Sequence, residues 1–348
     1  MDRNRLIFCP NLKTRLSPDL ATGLTTQVIA NELAANVFGD RGFAKLLKAR
    51  YDQMGKLFRD AHYNDPRWNL PKYGCENCAT DNKQDARLKV PKINCNSDNA
   101  NVTSLFGYNN FGHDMPVWLT PRNVNDVMSR PRVMIISEDP LRDHDAAGNL
   151  YLSTPFGVHS YSFCEQIWNR ETGYPLKIAE HIIRAGGIVF MTDFMKFFAY
   201  ERLEGCQKGD DKNSLNPIRK NLGSVYRNLF QKSLRAEIKM FRPNLVVTLG
   251  GGSAQELKRA FAVCMRGMKI DLDYRVKTKF VCLEKMEDEG MQDISFKLIT
   301  SYHPSSHGND CTHVLNQEEP HTKQQYFNRL MEEIEKTQVS IAMDNGRT

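Results

Sequence analysis

Hydrophobic positions in the second half of the chain fall into short continuous runs and longer segments at helical spacing. The continuous runs predict buried strands at 132–137, 188–193, 244–249, 279–283 and 297–301. Between them, apolar stripes predict helices at 175–185, 217–241, 254–264 and from about 320 to 334. This alternation over about 200 residues predicts an α/β fold with a doubly wound, mostly parallel central sheet flanked by helices.

The first 128 residues follow a different pattern. Apolar residues between Gly42 and His62 keep helical spacing, and lysines and arginines occupy the opposite face of the predicted helix. We favour a solvated face for these basic residues over a contact with a DNA backbone. Residues 96–128 are rich in Asn, Asp and Gly and predict a loop and linker. The expected organisation is an N-terminal helical, Cys-rich metal-binding region at 1–128, an α/β domain at 129–338 and a polar tail at 339–348.

Charge and composition narrow the functional class only slightly. The net charge of +6 and the pI near 8.7 fit a polyanionic partner, although many small-molecule enzymes share this balance. No apolar run is long enough for a membrane span, and the N-terminus lacks the hydrophobic segment of a secretory signal. Nine scattered cysteines, an odd number, indicate thiols or metal ligands in a reducing compartment. We expect a cytoplasmic protein with no membrane partner and no obligatory protein partner.

The N-terminal region contains a candidate metal site. Cys75-Glu-Asn-Cys78 is followed by Cys95 after a polar, basic loop, and thiols at this spacing can both point at one ion across a tight turn. His62 and Cys9 are the candidates for a fourth ligand, and His62 is preferred because it is closer in sequence. A redox role is disfavoured because no strand-to-helix unit surrounds the pair. We expect a structural zinc rather than three unrelated surface cysteines.

Polar residues follow three of the predicted strands: Glu138 and Asp139, Thr192 and Asp193, and His303. The carboxyl ends of parallel strands meet at one edge of a sheet, where open α/β proteins bind their ligands. Carboxylates and an imidazole suit hydrolysis through a cationic transition state that releases an anion. Gly250-Gly251-Gly252-Ser253 follows a fourth strand, and we favour close strand–helix packing there over a phosphate cradle.

These motifs resemble those of the uracil-DNA glycosylase superfamily, in the same order over about residues 130–335. Ser137-Glu-Asp-Pro-Leu-Arg142 is similar to the water-activating Gly-Gln-Asp-Pro-Tyr-His motif, and His303-Pro-Ser-Ser306 is similar to the His-Pro-Ser loop. Other segments resemble the bacterial and archaeal family 4 branch: Asp145 with Gly148 and Pro155-Phe-Gly157, Thr192-Asp-Phe-Met-Lys196, and Leu249-Gly250 followed by Ala254.

The resemblance implies a role for each matching residue. Asp139 would position the water and stabilise an oxocarbenium-like sugar, with support from Glu138, and His303 would stabilise the leaving base. Phe156 would stack on a flipped base, in a pocket that also involves Asp193, Leu141, Arg142 and Asp145. Lys196 would contact phosphates, and the Ser305, Ser306 and His307 loop would press into the minor groove to hold the base out.

Several differences from the family motifs affect which base the pocket would bind. Uracil enzymes have Asn where this chain has Asp193, and an ionised carboxylate accepts from a cytosine amino group but repels uracil O4. Leu141 and Arg142 replace a Tyr-His pair whose tyrosine excludes C5-substituted pyrimidines, and Leu150–Thr154 is an insertion. Phe197 stands where the family 4 branch has an iron–sulfur cysteine, which again favours zinc.

The resulting hypothesis is a monofunctional DNA glycosylase that removes a modified cytosine, such as glucosylated hydroxymethylcytosine in phage DNA, as an anti-phage member of the superfamily does. It would act in the prokaryotic cytoplasm, at the nucleoid, and would need no cofactor for the chemistry. The alternatives are a conventional glycosylase for uracil or another deaminated base, a non-catalytic nucleic-acid-binding protein on the same scaffold, and a small-molecule hydrolase.

Overall fold

A computed structural model describes twelve segments of the chain: 88–90, 110–114, 116–119, 129–138, 149–153, 155–157, 173–195, 197–200, 227–270, 276–283, 293–303 and 323–345. The strands in these segments are β1 (Leu88–Val90), β2 (Asn110–Asp114), β3 (Val117–Leu119), β4 (Arg132–Ser137), β5 (Asn149–Ser153), β6 (Ile188–Asp193), β7 (Phe197–Tyr200), β8 (Leu245–Leu249), β9 (Thr278–Cys282) and β10 (Ser295–Ser301). The helices are α1 (Tyr174–Arg184), α2 (Arg227–Phe241), α3 (Gly251–Ala260) and α4 (Lys323–Asn345), and Pro155–Gly157 forms a short 3-10 turn.

The main sheet has six strands in the order β3-β6-β4-β8-β10-β9. Its four inner strands are parallel to one another, and β3 and β9 are antiparallel strands at the two edges. Strands β4, β6 and β8 are buried along their whole length, which explains why each is a continuous apolar run rather than an alternating one. The predicted doubly wound, mostly parallel α/β sheet is confirmed.

Helices cover both faces of this sheet. On one face α2 packs through the ring of Phe241 against that of Phe190 in β6, with ring centroids 5.2 Å apart. On the other face Lys297 Nζ of β10 donates to Ser340 Oγ of α4 at 2.9 Å, and α4 also packs against α1. Because successive side chains in a strand point to opposite faces, Thr192 faces α2 whereas Asp193 lies on the face that α4 covers.

A second, four-stranded sheet was not foreseen. Its order is β1-β5-β2-β7, with β2 parallel to β5 and antiparallel to β7. Strands β1 and β2 come from the N-terminal region, β5 comes from the long loop after β4, and β7 follows β6 directly. The predicted loop at 96–128 is therefore wrong at β2 and β3, and the Leu150–Thr154 insertion is mostly strand.

The last helix is longer than predicted. Residues assigned to a polar tail from 339 onward continue α4 as far as Asn345, so the tail prediction is wrong over that range. Ile341 lies seven residues after Ile334, on the same side of the helix, and is 6 % exposed. The boundary near residue 128 stays a prediction, and the helix predicted at 42–62 lies outside the described residues. No helix in the described segments is long and apolar enough to cross a membrane.

Candidate active site at the carboxyl edge of the main sheet

Four neighbouring parallel strands end side by side in the main sheet. Ser137 at the end of β4 pairs with Asp193 at the end of β6, and Leu249 of β8 pairs with Ser301 of β10. Backbone hydrogen bonds continue beyond the strands, from Phe194 N to Ser137 O at 2.9 Å and from Gly250 N to Ser301 O at 2.8 Å. The outermost of these ends, on β6 and β10, are three strand spacings or about 14 Å apart.

The turn between β8 and α3 is built of glycines because two side chains lie against it. Gly250 has φ +97°, and a Cβ there would lie 3.3 Å from the Cβ of His303. A Cβ on Gly252 would lie 2.5 Å from the Cδ of Glu138. Glu138 and His303 follow the strands on either side of β8, so the glycines let both side chains approach the same turn.

This arrangement decides between the two interpretations of the glycine cluster. The Glu138 carboxylate lies at the first turn of α3, where helix N–H groups favour a negative charge. Ser253 Oγ closes the turn by donating to the carbonyl oxygens of Leu249 and Gly250, at 2.9 Å each. Close packing is therefore the role of the glycines, and the anion at the helix N-terminus is the protein's own carboxylate.

Asp193 is held by the neighbouring strand. Ser137 Oγ donates a hydrogen bond to Asp193 Oδ1, and the two residues are opposite each other in the parallel ladder. Ser137 is 2 % exposed and Asp193 is 4 % exposed. A carboxylate in so dry an environment interacts strongly with any polar group that reaches it.

The residue before Asp193 is anchored on the opposite face of the sheet. Thr192 Oγ1 donates to Glu237 Oε2 of α2 at 3.0 Å, and Glu237 is fully buried. A buried carboxylate needs hydrogen-bond donors to offset its desolvation. Thr192 supplies one of them, and the contact ties the carboxyl end of β6 to α2.

Phe156 has an unusual backbone conformation. Its φ of 56° and ψ of 18° lie in the left-handed region, which costs on the order of 1–3 kcal/mol for a residue other than glycine. The side chain is partly exposed, Pro155 before it is buried, and the turn contacts β6. Such strain makes this partly exposed aromatic residue a candidate for a functional role.

Four of the residues predicted for the site lie in described segments. Glu138 and His303 are brought to one turn, Asp193 is joined to Ser137, and Phe156 lies in a turn against β6. Asp139 directly follows Glu138, but it lies outside the described residues. So do Leu141, Arg142, Asp145, Lys196, Ser305, Ser306 and His307, and the predicted metal ligands Cys75, Cys78, Cys95 and His62. No group of three or more His, Cys, Asp or Glu within the described segments could hold a metal ion.

The sequence patterns did not predict a role for two polar residues of this region, Ser137 and Glu237. Ser137 stands where the similar family motif has glycine. A polar side chain in place of glycine could have indicated a contact within the site. Glu237 lies between Leu234 and Ile238 on the apolar stripe of α2, and an acidic residue within such a stripe indicates a buried polar contact.

Comparison with known proteins assigns the family. A search of curated proteins gave no match. The sequence model of the uracil DNA glycosylase superfamily matches residues 125–334, more than half of the chain, and this range agrees with the resemblance expected over 130–335. The matched range contains the four parallel strands and the carboxyl edge where Glu138, Asp193 and His303 lie. Members of this superfamily are typically DNA N-glycosylases, with DNA as the substrate. The chain belongs to the uracil DNA glycosylase superfamily.

Proposed function

We propose that this protein is a monofunctional DNA glycosylase that flips a modified cytosine out of DNA and hydrolyses its N-glycosidic bond, leaving an abasic site. The observation that supports this most directly is the buried Asp193 at the end of β6. Uracil enzymes have an asparagine at the matching position, and the change from amide to carboxylate alters which base edge can bind.

The carboxylate selects bases by hydrogen-bond polarity. Ionised Asp193 only accepts hydrogen bonds, so it can bind the N4 amino group of a cytosine and repels the O4 of uracil. The penalty for a mismatched polar group is large in a buried site, because no water compensates for the lost bond. We expect a strong preference for bases with an amino group at this edge.

The proposed chemistry uses Asp139, which follows Glu138 in the sequence, and His303, which lies against the β8–α3 turn. Asp139 would position the attacking water and stabilise the positive charge that develops on the sugar as the bond to the base breaks. His303 would donate a hydrogen bond to the departing base, which leaves with the bonding electron pair. Glu138, held at the first turn of α3, supports the backbone that leads to Asp139.

The remaining contacts would be made by the loops at this edge. Phe156 would stack on the flipped base, and Leu141, Arg142 and Asp145 would accommodate a C5 substituent such as a glucosylated hydroxymethyl group. Lys196, Ser305, Ser306 and His307 would contact the DNA, and the net charge of +6 predicts salt-dependent binding. Removal of such a base from phage DNA would be a defence against infection, acting in the cytoplasm at the nucleoid.

The N-terminal cysteines would hold a structural zinc. Three thiolates from Cys75, Cys78 and Cys95, with His62 as the fourth ligand, make a donor set that zinc prefers. Elemental analysis of the purified protein should give about one zinc per chain and no iron. A Cys78→Ser variant should lose the metal.

A base-release assay tests the proposed function. Matched oligonucleotides carry uracil, cytosine, hydroxymethylcytosine or glucosylated hydroxymethylcytosine at one position, as duplexes and as single strands. We expect release of a modified cytosine, and no release by the Asp139→Asn variant although it still binds DNA. Efficient uracil release without release of any modified cytosine would instead identify a conventional repair enzyme. DNA binding without release of any base would identify a non-catalytic binding protein.

A further inference from the structure

We infer that Ser137 is a positioning residue for base selection, because its hydroxyl sets the direction in which the Asp193 carboxylate faces the flipped base. This inference rests on the proposed function, since it concerns how the same pocket distinguishes an amino group from a carbonyl oxygen.

The sheet brings the two residues together. Ser137 and Asp193 are directly paired in the ladder between β4 and β6, so the register of the parallel sheet sets the distance between them. Ser137 Oγ is the donor and Asp193 Oδ1 is the acceptor. Both residues are almost completely buried, so solvent is poorly placed to replace the hydroxyl if it is removed.

Such a contact restricts the rotation of the Asp193 side chain. The terminal torsion of an Asp or Asn side chain has a broad, roughly two-fold preference rather than sharp staggered minima. A donor on the neighbouring strand selects one orientation of the carboxylate plane. Since a carboxylate has about four lone-pair sites, one bond from Ser137 leaves the group able to accept others while its direction is set.

The same contact gives a different result when residue 193 is an asparagine. The Ser137 hydroxyl can then donate to the amide oxygen or accept from the amide NH2 group, so it no longer fixes one orientation. The NH2 group can turn to a carbonyl oxygen at the base edge, such as uracil O4, which a carboxylate repels. Ser137 therefore supports the selectivity of position 193 only while that residue is a carboxylate.

The sequence around the pair agrees with this coupling. In the motifs that this chain resembles, glycine stands at the position of Ser137 and asparagine at the position of Asp193. Glycine has no side-chain donor, so the hydroxyl is present together with the carboxylate that needs it. The two departures from the family motif thus form one hydrogen-bonded unit at the site.

Single-turnover base release with two substrates tests the inference. One duplex carries the modified cytosine that the wild-type protein releases, and a matched duplex carries uracil. The variants are Ser137→Ala, Ser137→Thr, Asp193→Asn and the Ser137→Ala/Asp193→Asn pair. Ser233→Ala is the control, because Ser233 is also buried but its hydroxyl has no hydrogen-bond partner among the described residues.

We expect Ser137→Ala to lower the preference for modified cytosine over uracil by about ten- to a hundredfold, the loss typical of a hydrogen bond to a charged group. Ser137→Thr, which keeps the hydroxyl, should retain most of the preference, and Ser233→Ala should leave it unchanged. Asp193→Asn should shift the preference towards uracil, and adding Ser137→Ala should change it little further, because the hydroxyl no longer fixes the side chain of residue 193.

The outcomes separate this inference from the proposed function. If the wild-type protein releases no base, the proposed function fails and the inference fails with it. If the wild-type protein releases a modified cytosine but Ser137→Ala lowers both rates equally, the proposed function stands and Ser137 is only structural. Should Ser137→Ala fail to fold, an unchanged preference in Asp193→Asn overturns the inference by itself.

Discussion

Two buried threonines at the carboxyl edge of the main sheet allow the stabilising effect of one hydrogen bond next to Asp193 to be measured. Thr192 of β6 and Thr248 of β8 flank Ile136 of β4 in the sheet, and both are almost fully buried. Thr192 donates to the buried Glu237, whereas the Thr248 hydroxyl has no hydrogen-bond partner among the described residues. Replacing either threonine by valine removes a buried hydroxyl group from a similar place in the sheet. The expected effects on stability differ, because only the Thr192 hydroxyl makes a hydrogen bond within the described residues.

The magnitudes follow from these contacts. Thr192→Val removes a donor from a buried carboxylate, which should lower the free energy of unfolding by about 1–3 kcal/mol. Thr248→Val removes a buried hydroxyl without a partner and should be neutral or stabilising by about 1 kcal/mol. At about 2–4 °C per kcal/mol for a domain of this size, Thr192→Val should lower the melting temperature by several degrees, and Thr248→Val should not lower it.

Urea denaturation at constant pH measures the difference directly. The midpoints should differ between the two variants while the dependence on urea concentration stays the same, because neither substitution changes the surface exposed on unfolding. Equal destabilisation by both substitutions would refute the reasoning, since the loss would then come from the change of shape rather than from the contact with Glu237.

Further predictions concern the turns at the site. Gly252→Ala should displace the Glu138 carboxylate and slow base release without lowering the melting temperature, because the new Cβ meets the flexible end of that side chain and alanine favours the helix by about 1 kcal/mol. In a protein that already carries Glu138→Ala, Gly252→Ala should slow release no further. Additive losses would show that Gly252→Ala does not act through the Glu138 carboxylate. Phe156→Gly should be more stable than Phe156→Ala by about 1 kcal/mol in urea denaturation, because glycine adopts the positive φ at this position without strain. Both Phe156 variants should release the base more slowly if the ring stacks on it, and unchanged release would remove Phe156 from the pocket.

The main sheet could be predicted because its inner strands are buried on both faces. Each inner strand therefore appears as a continuous apolar run, and the four strands that carry the site were all identified. The second sheet could not be predicted in this way. Its strands have three to five residues, and Asn110 of β2 pairs with Asn149 and with Tyr200, so these strands depend on partners far away in sequence rather than on a local pattern.

The site could be predicted in part for the same physical reason. Polar residues after parallel strands lie at one edge of the sheet, which was enough to place Glu138, Asp193 and His303 at the same edge. The contact between Ser137 and Asp193 depends on the register of β4 against β6, and a run of apolar residues does not specify register. The contact between Thr192 and Glu237 depends on the rotation of α2 against the sheet, which is likewise a tertiary property.

The second sheet also bears on how the chain folds and can be divided. Strands β5 and β7 lie in the two loops that leave β4 and β6, and β2 lies between them in the sheet order. A fragment that begins at residue 125, where the family match starts, would lack β1, β2 and the edge strand β3, and would leave β5 and β7 without the strand that joins them. The segments after β4 and β6 would lose their common attachment, although the four parallel strands of the main sheet would remain. The family match therefore begins inside the paired structure, because strands from before residue 125 pair with β5, β6 and β7.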